Sequence, residues 1–321
     1  MLLSIVVPTY NEEQVIEEFH HRLTAVLQGL AMETEILYVN DGSTDRTLEM
    51  LKVLRRNHLG PWHVGIIDLS RNFGKEIAMT AGLDFANGDA TVIIDSDLQD
   101  PPELISEFVK HWREGYDVVY GRRTAREGES ALKRLTAYWF YRLMRRVGRV
   151  SIPADAGDFR LLSRRGVEAL KQLREQHRFM KGLFAWIGYQ QLAVPYHRQP
   201  RHDGRTKWNY WQLWNFALEG ITSFTTPPLR VSTYVGLITA LGSFMYGFWI
   251  IFQKIVLGNP VPGYPSLMMI ILFLGGIQLV TIGIIGEYLG RMFDETKRRP
   301  LYLVNSYDSA GPATRDSQRS R

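Results

Sequence analysis

The stretch Ala90-Thr91-Val92-Ile93-Ile94-Asp95-Ser96-Asp97-Leu98-Gln99-Asp100 decides the reading of this chain. Residues 90–94 are a short apolar, β-branched run, as expected of a strand buried on both faces. Asp95 ends the run abruptly. Two carboxylates at i and i+2 just past a buried strand can present oxygens to a hard divalent cation. Such a cation keeps several waters and takes its remaining ligands from substrate phosphates.

Working outward, the same pattern recurs upstream. Residues 3–7, 35–39 and 64–69 are further short apolar runs. Helix-like segments separate them, at about 12–30, 44–57 and 75–86. Strands alternating with helices predict an α/β domain with a mostly parallel sheet covered on both faces. Polar residues stand where each strand ends: Thr9-Tyr10-Asn11-Glu12, Asp41-Gly42-Ser43, Ser70-Arg71-Asn72 and Asp95-Ser96-Asp97. Each turn alone reads equally well as capping and turn chemistry. Four converging at the carboxyl ends of strands point to a ligand site, where open α/β sheets bind theirs. Arg71 and Lys75 follow the third strand, placed either to touch a diphosphate or to sit as solvated charges at a helix start.

The second half of the chain has a different character. Residues 231–253 and 266–286 are apolar runs, each long enough for a hydrocarbon core that needs ~20 residues. The linker from Leu257 to Pro265 is uncharged. Arg201, Arg205, Lys207 and Arg230 precede the first run, and Arg291, Lys297, Arg298 and Arg299 follow the second. The positive-inside bias then predicts a multi-pass membrane protein with its first domain and both termini cytoplasmic. The expected organisation is a domain over 1–208, a juxtamembrane helix over 209–228, a membrane hairpin over 229–293 and a cytoplasmic tail over 294–321. The polar residues from about Ser306 read as a disordered tail. Small-residue stripes (Gly236, Ala240, Ser243, Gly247; Gly276, Gly283, Gly286, Gly290) would pack the hairpin on itself or on a second copy, making a homo-oligomer. Glu287 is expected to pair with Arg291 one turn later or to reach the interface.

With 321 residues and a net charge of +5, the chain is only mildly basic, yet Arg122, Arg123, Arg126, Lys133, Arg134, Arg142, Arg145, Arg146 and Arg149 cluster. Residues 130–148 place Leu132, Leu135, Trp139, Leu143 and Val147 on one helical face and arginines on another. That describes a helix lying in a membrane interface, beside an alternative of ordinary domain packing. Next to two spans, the cluster points to membrane rather than nucleic acid. There is no cysteine, which excludes disulfides and thiolate metal sites. The eight histidines lack metal-ligand spacing: His20-His21 reads as solvated helix surface, and His177 has no obvious partner. Met1 to Pro8 has no basic leader and reads as a first strand, not a signal peptide.

The set Val7-Pro8-Thr9-Tyr10-Asn11-Glu12-Glu13, Asp41-Gly42-Ser43-Thr44-Asp45 and Asp95-Ser96-Asp97 resembles the family 2 glycosyltransferases of the GT-A, Rossmann-like fold. Asp155-Ala156-Gly157-Asp158-Phe159-Arg160-Leu161, Arg201-His202-Asp203-Gly204-Arg205-Thr206-Lys207-Trp208 and the two spans are similar to the polyprenyl-phosphate glycosyltransferases, nearest to the bactoprenol glucosyltransferases of the GtrB type. The resemblance implies a UDP-sugar donor, with Pro8, Tyr10, Glu12, Asp41, Lys75, Asp95 and Ser96 on the donor side. It implies Asp97 and Asp95 as ligands of Mg2+ or Mn2+. It places Asp158 at the position of a catalytic base, with alternative roles in orienting Arg160 or stabilising positive charge on the sugar. Arg160, Arg201, Arg205 and Lys207 would face the phosphate of a polyprenyl phosphate acceptor. Arg205 replaces a frequent Glu of that subgroup and Thr206 a frequent Ser.

The implied reaction is inverting transfer of glucose from UDP-glucose to undecaprenyl phosphate. The alternatives are the same chemistry with a UDP-4-amino-arabinose derivative or with GDP-mannose and dolichyl phosphate, and a non-catalytic membrane-tethered nucleotide binder. A processive synthase does not fit, because the Gln-X-X-Arg-Trp motif is missing.

Overall fold

The computed structural model describes residues 1–57, 60–123, 156–196, 227–256 and 263–310. The amphipathic segment expected at 130–148, Arg201, Arg205 and Lys207, and residues 209–226 of the expected juxtamembrane helix lie outside them. Pro227 and Pro228 instead open the first long helix.

The alternating half runs β1 (Leu2–Thr9), α1 (Ile16–Gln28), β2 (Glu33–Asn40), α2 (Thr47–Asn57), β3 (Trp62–Leu69), α3 (Lys75–Phe85) and β4 (Ala90–Ile93). Then follow α4 (Ile105–Arg113), β5 (Val118–Arg123), β6 (Ala156–Ser163), α5 (Arg164–Gln172), α6 (Met180–Trp186) and β7 (Gln191–Tyr196). The long helices α7 (Pro227–Val256) and α8 (Tyr264–Thr296) precede β8 (Val304–Asp308).

Among the described residues one sheet has the order β7-β5-β6-β4-β1-β2-β3-β8. Strands β4, β1, β2 and β3 are mutually parallel, while β6 runs antiparallel to both β4 and β5, and β8 antiparallel to β3. The sheet is therefore mixed around a parallel centre. The first helix starts at Ile16 rather than Glu12, because the Glu12 amide donates to Thr47 Oγ1 at 2.9 Å and stays in the loop.

Pleating sorts each strand between two cores. Leu3, Ile5 and Val7 face α1, α2 and α4, packing with Phe19, Leu23, Leu51 and Phe108. Val6, Leu37, Val39 and Ile67 face the other way, onto α3, α5 and α6. Covering both faces explains why these strands are continuously apolar. Each such buried side chain contributes about 1.5–3 kcal/mol, so the strand ends form a rigid floor. Gly82 lets α3 approach closely: a Cβ there would lie 2.1 Å from Val6 Cγ1.

Two expectations change here. The chain beyond the second long helix is not a free tail up to Ala310. Leu303 accepts from the Ser70 amide at 2.9 Å, β8 pairs with β3, and Ala310 is buried. His20 is likewise not solvated surface: it is 9% exposed, with Nδ1 2.8 Å from the Tyr38 hydroxyl.

Within α7 and α8, Ser232–Gln253 and Leu267–Thr296 are long and apolar enough to cross a membrane. Their apolar side chains are mostly exposed, as suits a lipid surround. Arg291 pairs with Glu287 at 3.1 Å, as the spacing predicts. A Cβ added at Gly236, Gly247, Gly276, Gly283, Gly286 or Gly290 would meet nothing within 4 Å, so these glycines are not where the two helices touch. The end of α8 docks on the α/β domain. Gln176 donates from its amide to Glu295 Oε1 at 2.7 Å, and His177, against expectation, finds a partner in Asp294 at 3.1 Å.

Candidate active site

The order of the parallel strands reverses between β1 and β4, so the loops after them diverge and leave a crevice at their carboxyl ends. A cleft of about 760 Å3 lies there, lined by Pro8, Thr9, Tyr10, Glu12, Asp41, Asn72, Gly74, Lys75, Ala78, Asp95, Ser96 and Asp97. All the residues expected on the donor side line it.

Three turns make the walls, and they interlock. The Asn11 amide donates to Ser43 Oγ at 3.0 Å, and the Thr44 amide to Asn11 Oδ1 at 2.8 Å. Asn11 holds φ at 54°, which asparagine tolerates better than most residues. Asp41 accepts from the amides of Phe73 at 2.7 Å and Gly74 at 2.9 Å. Burial pushes its carboxyl up, while those two amides and Arg71 pull it back. Asp41 thus lines the cleft chiefly as the clamp between two turns. Gly42, at φ 64°, packs against the chain after β3, where a Cβ would come within 2.5 Å of the Asn72 nitrogen. Tyr10 stands at the mouth, 43% exposed.

The Asp-Ser-Asp turn is held from below. Leu98 takes φ 58°, unusual for leucine, and is kept there by a side chain only 3% exposed in the core. Such a conformation costs about 1–2 kcal/mol. Asp97 Oδ1 accepts from the Gln99 amide at 3.1 Å. Asp100, also buried, accepts from the Tyr196 hydroxyl, which in turn accepts from Arg123 Nε at 3.3 Å.

Lys75 connects the motifs. Its Nζ lies 2.6 Å from Asp95 Oδ2 and 2.6 Å from Asp158 Oδ2. Burial works against the charge on Lys75, but the two carboxylates outweigh it and raise its pKa. The carboxylates themselves diverge. Burial pushes Asp95 up to about 6, with Lys75 opposing and Asp158, Asp100 and Asp97 adding to the rise. Asp158 is also buried, yet Lys75, Lys181 and Arg160 hold it well below the usual carboxylate range.

Arg160 is not turned to a lipid phosphate. It is 3% exposed, donating to the carbonyls of Gly157 at 2.6 Å and Asp158 at 3.3 Å, with its guanidinium 3.6 Å from the Phe184 ring centre. Its task is to shape the start of β6 that carries Asp158. Arg71, the other candidate cation, lies over Phe73 at 4.0 Å.

Two charged residues of this centre belong to no motif quoted above. Glu76 accepts from the Met180 amide at 2.8 Å, and burial and Asp158 push it up to about 7. Lys181, at the start of α6, adds positive charge to Glu76 and Asp158. Glu76 follows Lys75 directly, which is the only hint of it in the sequence. Lys181 stands more than 100 residues after Glu76 in the chain.

The donor set fits a hard cation. Asp95 and Asp97 offer carboxylate oxygens on one wall of a cleft sized for a nucleotide, and ions of the Mg2+ kind bind through one or two carboxylates plus phosphates.

The chain is similar to known proteins over most of its length. The family model described as glycosyl transferase family 2 matches residues 4–171, and that of the GtrB C-terminal hairpin matches residues 227–292. An uncharacterized glycosyltransferase of Synechocystis is 55% identical over 94% of this chain and 94% of its own. The SfII prophage-derived bactoprenol glucosyl transferase of Shigella flexneri is 47% identical over 97% of this chain and 100% of its own. Among solved structures, glucosyl-3-phosphoglycerate synthase of Mycobacterium tuberculosis, in complex with Mn2+, UDP-glucose and phosphoglyceric acid, is 22% identical, covering 69% of this chain and 77% of that one, with a TM-score of 0.45. From the matched domain, the matched hairpin and the end-to-end relatives, the chain belongs to the family 2 glycosyltransferases, in the branch with a GtrB-type C-terminal hairpin.

Proposed function

We propose that this protein transfers glucose from UDP-glucose to undecaprenyl phosphate with inversion, at the cytoplasmic face of the membrane. The observation that carries the proposal is that Lys75 and Asp95, which line a nucleotide-sized cleft, are joined through the Lys75 ammonium to Asp158 of β6. The apolar hairpin explains how such a cleft meets a lipid acceptor.

The uridine lies between the Pro8–Glu12 loop and the Asp41 turn, with Tyr10 offering a ring at the mouth. Asp97 and Asp95 would hold Mg2+ or Mn2+, which neutralises charge on a departing diphosphate. Lys75 adds a cation on the same wall. The acceptor phosphate has its second ionisation near pH 6. It is already largely a dianion at neutral pH and has little need of a proton acceptor. Asp158, held below the carboxylate range, is a weak base. Its charge instead favours the positive character that the sugar acquires as UDP leaves, and it fixes Lys75. Arg123, held by Tyr196 at the end of β5, and Arg201, Arg205 and Lys207 supply cations for the lipid phosphate. The glycines left open on α7 and α8 leave room for a second copy of the hairpin.

The test is transfer by detergent-solubilised protein. A panel of radiolabelled sugar nucleotides is offered with undecaprenyl phosphate, with and without Mg2+ or Mn2+. Label in the lipid phase from UDP-glucose, dependent on the cation, is expected. Label only from UDP-4-amino-arabinose or GDP-mannose would reassign the donor. No label from any donor would sink the reading.

A further inference from the structure

The strand that follows the apolar hairpin begins beside the carboxyl end of β3, and one side chain near its start reaches a buried carboxylate there. Asp68, near the end of β3, is 5% exposed, and both of its oxygens are bonded. Oδ1 accepts from Asn40 Nδ2 at 2.7 Å, and Oδ2 accepts from Asn305 Nδ2 at 2.8 Å. Asn40, 1% exposed at the end of β2, accepts in turn from the Ser43 amide through its Oδ1 at 3.3 Å. Ser43 Oγ then receives the Asn11 amide at 3.0 Å. An unbroken line of hydrogen bonds thus runs from Asn305 to the two loops that carry Tyr10, Glu12 and Asp41.

The backbone of β8 is arranged for this contact. Ser306 pairs with Asp68 and Val304 with Leu69, so the register slips at Asn305. A bulge of this kind leaves one residue out of the ladder and re-aims its side chain. Here the residue left out is the one that donates to Asp68. Residues of the ladder itself, such as Ser306 and Tyr307, would hold the edge strand equally well without it.

We propose that Asn305 is a positioning residue for the donor site: through Asp68 and Asn40 it sets the Asp41-Gly42-Ser43 turn against the Tyr10–Glu12 loop, tying nucleotide affinity to the segment after the membrane hairpin. This rests on the donor reading above. Without the Asn305 amide, one oxygen of a buried carboxylate loses its partner, and such a group turns toward any other donor within reach. Asn40 would follow it, and the turn would lose its set.

The test uses the full chain in detergent, with UDP and GDP affinities measured by calorimetry, the KM for undecaprenyl phosphate by transfer, and thermal melting alongside. Asn305→Asp sets a second carboxylate against Asp68. It is expected to weaken UDP binding about tenfold, or ~1.4 kcal/mol, with acceptor KM and melting temperature near wild type. The double variant Asn305→Asp, Asp68→Asn reverses the polarity of one bond. The new amide at 68 can accept from Asn40 and donate to the new carboxylate at 305. Recovery of UDP affinity in the double variant supports the relay. Unchanged affinity in Asn305→Asp overturns it. So does a loss that tracks a fall in melting temperature and is not recovered in the double variant. A wild-type protein that prefers GDP would overturn the donor reading instead, and the same ratios measured with GDP then judge the relay.

Discussion

Lys75 is the residue on which the centre turns. Remove its charge and Asp95 and Asp158 face each other with no cation between them, so Asp158 takes up a proton more readily. Lys75→Met is therefore expected to move the acid limb of the kcat/KM profile to higher pH, because Asp95, already raised to about 6, and Asp158 both lose the cation that favours their charged forms. A limb that stays in place would mean that neither carboxylate needs its charge. Asp158→Asn tests the same charge directly. Turnover is expected to fall by about a hundredfold or more, while UDP affinity by calorimetry stays near wild type. Near-normal turnover would remove Asp158 from the mechanism. At this scale the sequence was informative wherever a strand ends in polar residues, and every such motif reached the cleft. It did not report the burial of Arg160, expected at the lipid phosphate, because that burial depends on Phe184, a ring brought over from another element. Spacing along one strand cannot report a stacking partner on a distant helix.

The first turn of α3 and the start of α6 meet through one bond, from the Met180 amide to Glu76. Burial and Asp158 push Glu76 from its ordinary value of 4.5 up to about 7. A group with a raised folded pKa gives stability below its unfolded value and loses it as pH rises through the folded one. Here the window runs from about 4.5 to about 7. Glu76→Gln keeps the acceptor for Met180 and never ionises. Its melting temperature should match wild type in acid and exceed it above neutrality, by the equivalent of about 3 kcal/mol at most. Parallel melting curves across that window would refute the account. At the element scale the parallel core was legible because strands buried on both faces are continuously apolar. Strand β8 was not, because Val-Asn-Ser-Tyr-Asp on an exposed edge carries no apolar run. What makes it a strand is the open edge of β3, and that is a property of the fold rather than of the segment.

At the scale of the whole molecule, β1 and β8 belong to one sheet although two long apolar helices separate them in the chain. If both helices cross the membrane, the sheet requires them to cross in opposite directions, bringing the chain back to the side it left. The basic residues flanking the hairpin predict that this side is the cytoplasmic one. The complete lack of cysteine makes the prediction clean to test, since any introduced thiol is the sole target. Lys52→Cys lies on the exposed face of α2, and Gly263→Cys stands at the start of α8. A membrane-impermeant maleimide should label Gly263→Cys in spheroplasts and leave Lys52→Cys untouched until the membrane is opened. Inverted vesicles should give the opposite pattern. Labelling of both positions from one side would mean that the helices lie along the membrane or in it without crossing, and the lipid acceptor would then have to reach the cleft by another route.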